Sequence, residues 1–129
     1  MYRTALIAGA VFAGLSVILG AFGAHALEAK LGPDLLQTYE TGARYQMYHG
    51  LALLAAGLLY GHLPVKALKY AAIFFIAGII LFSGSLYLLA MLKMSGQVGL
   101  GSFGLVTPVG GLCFIIGWIL FIAGCLQKR

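Results

Sequence analysis

The sequence predicts an all-α integral membrane protein: a four-transmembrane-helix bundle with a short interfacial helix before the second span. Three observations predict it. Of 129 residues, 62% are hydrophobic and only 9% charged, whereas a soluble domain carries about a quarter charged residues. The apolar residues gather into four tracts, at about 4–27, 46–63, 68–92 and 108–126, each near the ~20 residues a helix needs to cross the hydrocarbon core. Backbone groups in that core must pair within their own segment, so each tract reads as a helix. Residues 1–129 form one four-span membrane domain on this reading.

The first tract must be separated from a cleaved signal peptide. Arg3 precedes it, and Ala24-His25-Ala26 has the small-x-small form of a cleavage site. The run from Ala5 to Phe22 is longer than the usual ~7–15-residue core of a signal peptide, so it reads as a retained span. After it, Gly32-Pro33 makes a turn and Asp34 suits the positive end of a new helix. Leu35, Leu36, Tyr39, Ala43 and Met47 then recur at three- and four-residue steps, the stripe of an interfacial helix. Unbroken from Asp34 to His62, that helix would be ~43 Å long against a ~30 Å core. Its first part therefore stands in the headgroups, or Gly42 bends it.

The connection "GHLPVKALK" is short, and Pro64 stops the second span. After the third span, "SGQVGLGSFGLVTPVGG" is rich in glycine and has no charge. Residues 94–107 either fold back as a cap on the bundle or rest in the headgroups. Gly9, Gly20, Gly23, Gly78, Gly84, Gly117 and Gly124 fall within the spans, where small residues let helices approach.

Lysine and arginine placement sets orientation. With the amino terminus cytoplasmic, Arg3, Lys66, Lys69, Lys128 and Arg129 lie inside, and Lys30, Arg44 and Lys93 outside. Both termini are therefore expected in the cytoplasm. The net charge of +5 is an orientation signal; with no basic run, nucleic acid is not an expected partner. Cys113 and Cys125 sit on one span about 18 Å apart along its axis, beyond disulfide reach within one chain.

The chemistry gathers in "TYETGARYQMYHGLALLAAG", Thr38 to Gly57. On a helix, Glu40, Thr41, Arg44, Tyr45, Tyr48 and His49 share one half of the circumference. Glu40 and Arg44 have the spacing of an ion pair. Such groups in a membrane face a bundle interior or a wet cavity. His25 from the first span, and Ser83, Ser85 and Tyr87 from the third, are expected at the same outer depth. Together these ten residues form the candidate polar cluster, with Arg44 as the anion or headgroup anchor.

The stretches "LGAFGAHAL" (Leu19–Leu27), "TYETGARYQMYHGLALL" (Thr38–Leu54), "LFSGSLYLLAM" (Leu81–Met91) and "VTPVGGLCFIIGW" (Val106–Trp118) also carry a resemblance. In that order they resemble the domain of unknown function 423 family, small multi-pass membrane proteins of the YgdD and YwdK type. The resemblance covers essentially the whole chain. It implies a multi-pass protein of the bacterial inner (plasma) membrane and supplies no activity.

Four functional readings follow. The cluster is a pocket for a lipid, quinone or similar small amphiphile; or it is scaffold in a structural membrane protein. It carries charge in an oligomeric transporter or proton-relay subunit; or His25 and His49 ligate a haem or metal. Two histidines without a further ligand at that depth make a weak metal set, so no cofactor is expected. The acids lie on one short stretch and neither Ser83 nor Ser85 has a nucleophile signature, so no catalytic residue is assigned. Expected partners are membrane lipids, an amphiphilic ligand and further copies of the chain.

Overall fold

The computed structural model describes residues 2–96 and 103–127. Helix α1 (Arg3–Phe22) continues into a π turn (Gly23–Leu27), and α2 (Pro33–His62) follows. Helix α3 (Lys66–Gly78) passes through a second π turn (Ile79–Ser83) into α4 (Gly84–Met94). A 3-10 turn (Phe103–Leu105) leads into α5 (Val106–Leu126). Among the described residues there is no strand.

Among the described residues three helical stretches are long and apolar enough to cross a membrane: Arg3–Leu27, Lys66–Met94 and Val106–Leu126. Large apolar side chains such as Ile7, Ile18, Ile80, Ile115 and Ile122 stand exposed on them, a surface that suits lipid rather than water. The tract at 46–63 lies almost wholly inside α2, which is not among them, because Gln46, Tyr48, His49, Tyr60 and His62 lower its hydropathy. The short helix expected before it is not separate. Residues 33–62 form one helix, unbroken at Gly42.

Local chemistry explains the ends of α2. Pro33 occupies the first turn beside Asp34, and the Leu36 N–H closes on the Gly32 carbonyl at 2.9 Å. Proline has no N–H to lose there, and the carboxylate meets the positive helix end. At the other end Leu63 leaves helical geometry, as the residue before a proline must.

Helix α2 is central. Along it α1 runs antiparallel, from Tyr2 N–H on the Gly57 carbonyl (3.1 Å) to Tyr39 Oη–H on the Leu19 carbonyl (2.6 Å). Between those points the two backbones touch: a Cβ added to Gly9 would lie 2.7 Å from the Gly50 carbonyl oxygen. Only glycine permits that approach. On the other side of α2, α3 and α4 run antiparallel to it, with Phe75 beside His49 and Tyr87 against Gly42. Helix α5 packs along α3, Gly117 meeting Phe75 and Gly124 meeting Leu68. Consequently α1 and α3–α4 point one way, and α2 and α5 the other.

Two apolar clusters result. One joins Ala5, Leu53, Ala71, Phe75 and Phe114; the other joins Leu27, Leu31, Tyr39 and Ala90 near the start of α2. Of the glycines expected at helix contacts, Gly9, Gly23, Gly78, Gly117 and Gly124 are there, whereas Gly20 and Gly84 face open space.

The glycine-rich connection lies largely outside the described residues, and with it the expected cap. Its first turn is described: Ser95 and Gly96 N–H fold back on the Met91 and Lys93 carbonyls. Gly96 has φ +84°, a conformation that closes helices and favours glycine.

Candidate functional site

The structure divides the ten candidate residues rather than gathering them. His49, Ser83 and Ser85 are buried and Tyr87 half-buried, whereas His25, Glu40, Arg44, Tyr45 and Tyr48 are exposed and Thr41 partly so. The exposed group lies on the outward face of α2, with His25 on the first π turn. The buried group lies between α2 and α3–α4–α5.

His49 is the best-defined of them. Its Nδ1 lies 2.8 Å from the Tyr45 carbonyl, which can only accept. Its Nε2 lies 3.0 Å from Trp118 Nε1, whose N–H can only donate. The two partners together assign a neutral imidazole protonated on Nδ1. The ring stacks on Phe114 with centroids 3.6 Å apart and planes 11° from parallel, and Phe75 approaches at 5.6 Å.

This geometry separates His49 from His25, which were expected at one depth. Gly23, two residues before His25, packs on Tyr39. Gly50, beside His49, packs on Ala13. The ten residue steps of α2 from Tyr39 to His49 are about 15 Å of helix, so the imidazoles do not face one another. Both nitrogens of His49 are also in use. Among the described residues no group of three or more His, Cys, Asp or Glu side chains could hold a metal.

Glu40 and Arg44 do not pair either: among the described residues no Arg44–carboxylate contact falls within ion-pair distance. Thr41 Oγ1 donates to the Gln37 carbonyl of its own helix at 2.8 Å. Ser85 Oγ joins the Phe82 carbonyl at 2.8 Å and the hydroxyl of Thr107 on α5. Ser83 Oγ is fully buried in the second π turn and has no hydrogen-bond partner among the described residues.

Sequence reasoning missed Gln46, the hub of the buried polar network. Its Nε2 donates to the Phe12 carbonyl of α1, and its Oε1 accepts from Tyr87 Oη, both at 2.8 Å. Tyr39 makes a similar link to α1 and lies 5.2 Å from the Tyr87 ring. These bonds tie three helices together, the usual use of polar groups between membrane helices. The contribution of α1 is backbone carbonyls, not His25.

Beside this network an open groove of about 550 Å³ runs between α2 and α5. Tyr45, His49, Phe82, Leu112, Ile115 and Trp118 line most of it. The lining is mainly apolar and aromatic, of the size and kind that takes a small molecule. Leu112, Ile115 and Trp118 are exposed on their outer sides, so the groove opens where lipid would lie.

The helices with their exposed apolar belts define a helical membrane protein. Residues 19–111 match the family described as "Protein of unknown function (DUF423)". Over 117 residues the chain is 44% identical to a UPF0382 membrane protein of Staphylococcus aureus, covering 91% of this chain and 90% of that one. To the UPF0382 membrane protein YwdK of Bacillus subtilis it is 42% identical over 123 residues, 95% of each chain. A UPF0382 membrane protein of Staphylococcus saprophyticus is 42% identical over 122 residues, 95% of this chain and 96% of that one. The chain belongs to this uncharacterised family of membrane proteins. No solved structure matches it.

Proposed function

We propose that the chain is a four-span, non-enzymatic protein of the bacterial inner membrane whose α2–α5 groove binds a small amphiphile, with both termini cytoplasmic. The groove carries the reading: it is aromatic-walled, holds about 550 Å³ and is flanked by the exposed Leu112 and Ile115. A fourth crossing by α2 is supported by helix direction. With α1 and α3–α4 parallel, the end of one and the start of the other lie at opposite ends of the molecule, and α2 connects them. The first turns of α2 then stand among the headgroups.

The groove and the buried network have different roles on this reading. Tyr39, Gln46, His49 and Tyr87 make hydrogen bonds between helices, so they hold helices together and leave the exposed tyrosines and Arg44 for a ligand. A proton relay gains less support, because among the described residues no carboxylate, lysine or arginine is buried.

A native mass spectrum of protein released from mild detergent tests the binding function. The wild-type chain is expected to retain a discrete mass that Ile115→Trp, which fills the groove from the lipid side, loses. A bare chain in both proteins contradicts the reading.

A further inference from the structure

We propose that the ligand is a zwitterionic aminophospholipid, held by its phosphate on Arg44 and its ammonium on Glu40, with one acyl chain in the α2–α5 groove. The proposal rests on the amphiphile reading above and names its ligand class.

Depth is the first observation. Helix α5, Val106–Leu126, has 21 residues and is about 31 Å long, near the ~30 Å thickness of the hydrocarbon core. Its first turn therefore marks the membrane boundary. Phe82 joins the levels of α2 and α5, its ring 4.9 Å from Tyr45 and its backbone against Gly110. Arg44, adjoining Tyr45, thus lies about one turn inside the boundary. Glu40, four residues nearer the start of α2, lies at about the boundary itself.

Charge is the second. Arg44 and Glu40 are both exposed, and an ionised group at a lipid-facing position needs a counter-charge. A phospholipid presents its phosphate next to the acyl chains and any ammonium group farther out. The protein presents the complementary order, a cation deeper and an anion about 6 Å shallower. Arginine suits a phosphate through its planar fork of donors. A quinone would leave both charges unmatched. A purely anionic lipid would match Arg44 and be repelled by Glu40.

The third observation is the join between headgroup and chain. The Tyr45 ring lines the groove, and the Tyr48 ring packs 5.7 Å from it on the exposed face of α2. Among the described residues neither hydroxyl has a hydrogen-bond partner, so both are free to donate to phosphate or ester oxygens. Below them the walls become Leu112, Ile115 and Trp118, which suit an acyl chain.

The test adds equal amounts of phosphatidylethanolamine and phosphatidylglycerol, with identical chains, to the full-length protein in detergent and records native mass spectra. Phosphatidylethanolamine is expected to be retained roughly fivefold more, the scale of one partly exposed charge pair. Glu40→Gln should bring the ratio to about one while keeping an adduct. Arg44→Gln should weaken both adducts without altering thermal unfolding, since Arg44 makes no ion pair among the described residues.

Equal retention of the two lipids, or a preference unchanged in Glu40→Gln, overturns the headgroup assignment even if Ile115→Trp abolishes both adducts. Adducts unaffected by Ile115→Trp overturn the groove reading itself. Binding of inorganic phosphate alone, or a lipid-free dimer that Arg44→Gln dissociates, overturns the lipid as the occupant.

Discussion

The imidazole of His49 lies flat on the phenyl ring of Phe114, centroids 3.6 Å apart, while the indole of Trp118 donates to its Nε2 at 3.0 Å. One residue of α2 is thus clasped by two of α5, and this clasp forms the floor of the groove. Trp118→Phe keeps an aromatic ring and removes the donor. It is expected to lower stability by about 1 kcal/mol, the range for hydrogen bonds between membrane helices. His49→Ala should cost more, because the stacking is lost too. Thermal unfolding in detergent reads both, and unchanged melting in Trp118→Phe contradicts the assignment.

Gln46 and Tyr87 provide a second test. A double-mutant cycle of Gln46→Leu and Tyr87→Phe should give a coupling energy near 0.6 kcal/mol, and no more than about 1.7. Strict additivity of the two changes would mean that their 2.8 Å bond contributes nothing.

Gln46 also marks where the sequence was hard to read. The half of α2 richest in polar residues, Glu40 to Tyr48, looks on a helical projection like the side that seeks a partner. The structure turns Glu40, Arg44, Tyr45 and Tyr48 of that side outward and buries only His49, at its edge. The inward side is Tyr39, Gly42, Ala43, Gln46, Gly50, Leu53 and Gly57, and the signal for it was present in the spacing of its small residues. A projection of one helix cannot choose between two faces that both carry polar groups. Contact with α1 decides, because only the glycine side admits it closely.

The glycines give a third prediction, with a built-in contrast. Gly50→Val forces a side chain against the Ala13 backbone, where even a Cβ would lie 3.0 Å from its nitrogen. Such overpacking costs about 1–3 kcal/mol. Gly20→Ala, facing open space, should be neutral or stabilising by about 0.5–1 kcal/mol, since alanine suits a helix interior better. Equal destabilisation by the two changes, read as melting shifts, contradicts the helix contact.

Ser83 and Ser85 form a fourth. Ser83 Oγ is buried without a partner among the described residues, so Ser83→Ala removes an uncompensated polar group and should be neutral or stabilising. Ser85 Oγ joins α4 to Thr107 on α5, so Ser85→Ala should lower the melting temperature by an amount worth about 1 kcal/mol. Equal effects of the two would contradict the difference in their surroundings.

The fold itself was more legible than the site. Apolar tracts of near-spanning length translate directly into helices, because the backbone has no other partner in hydrocarbon. The continuity of α2 through Gly42 was less so, since glycine permits a bend and does not dictate one. The π turn at Ile79–Ser83 left no local signature in "IILFS". It lies where Gly42 of α2 and Gly110 of α5 both press on its backbone, a contact that no single helix encodes. His25 and His49 looked equivalent in sequence because depth was counted from span ends, whereas packing sets it.

The account depends most on α2 crossing the membrane. Single cysteines at two exposed positions near its ends, Gln37→Cys and Gly61→Cys, made with Cys113→Ser and Cys125→Ser, test it with an impermeant maleimide on intact cells. The account predicts labelling at position 37 in intact cells, and at position 61 only after permeabilisation. Labelling of both positions from the same side would contradict it.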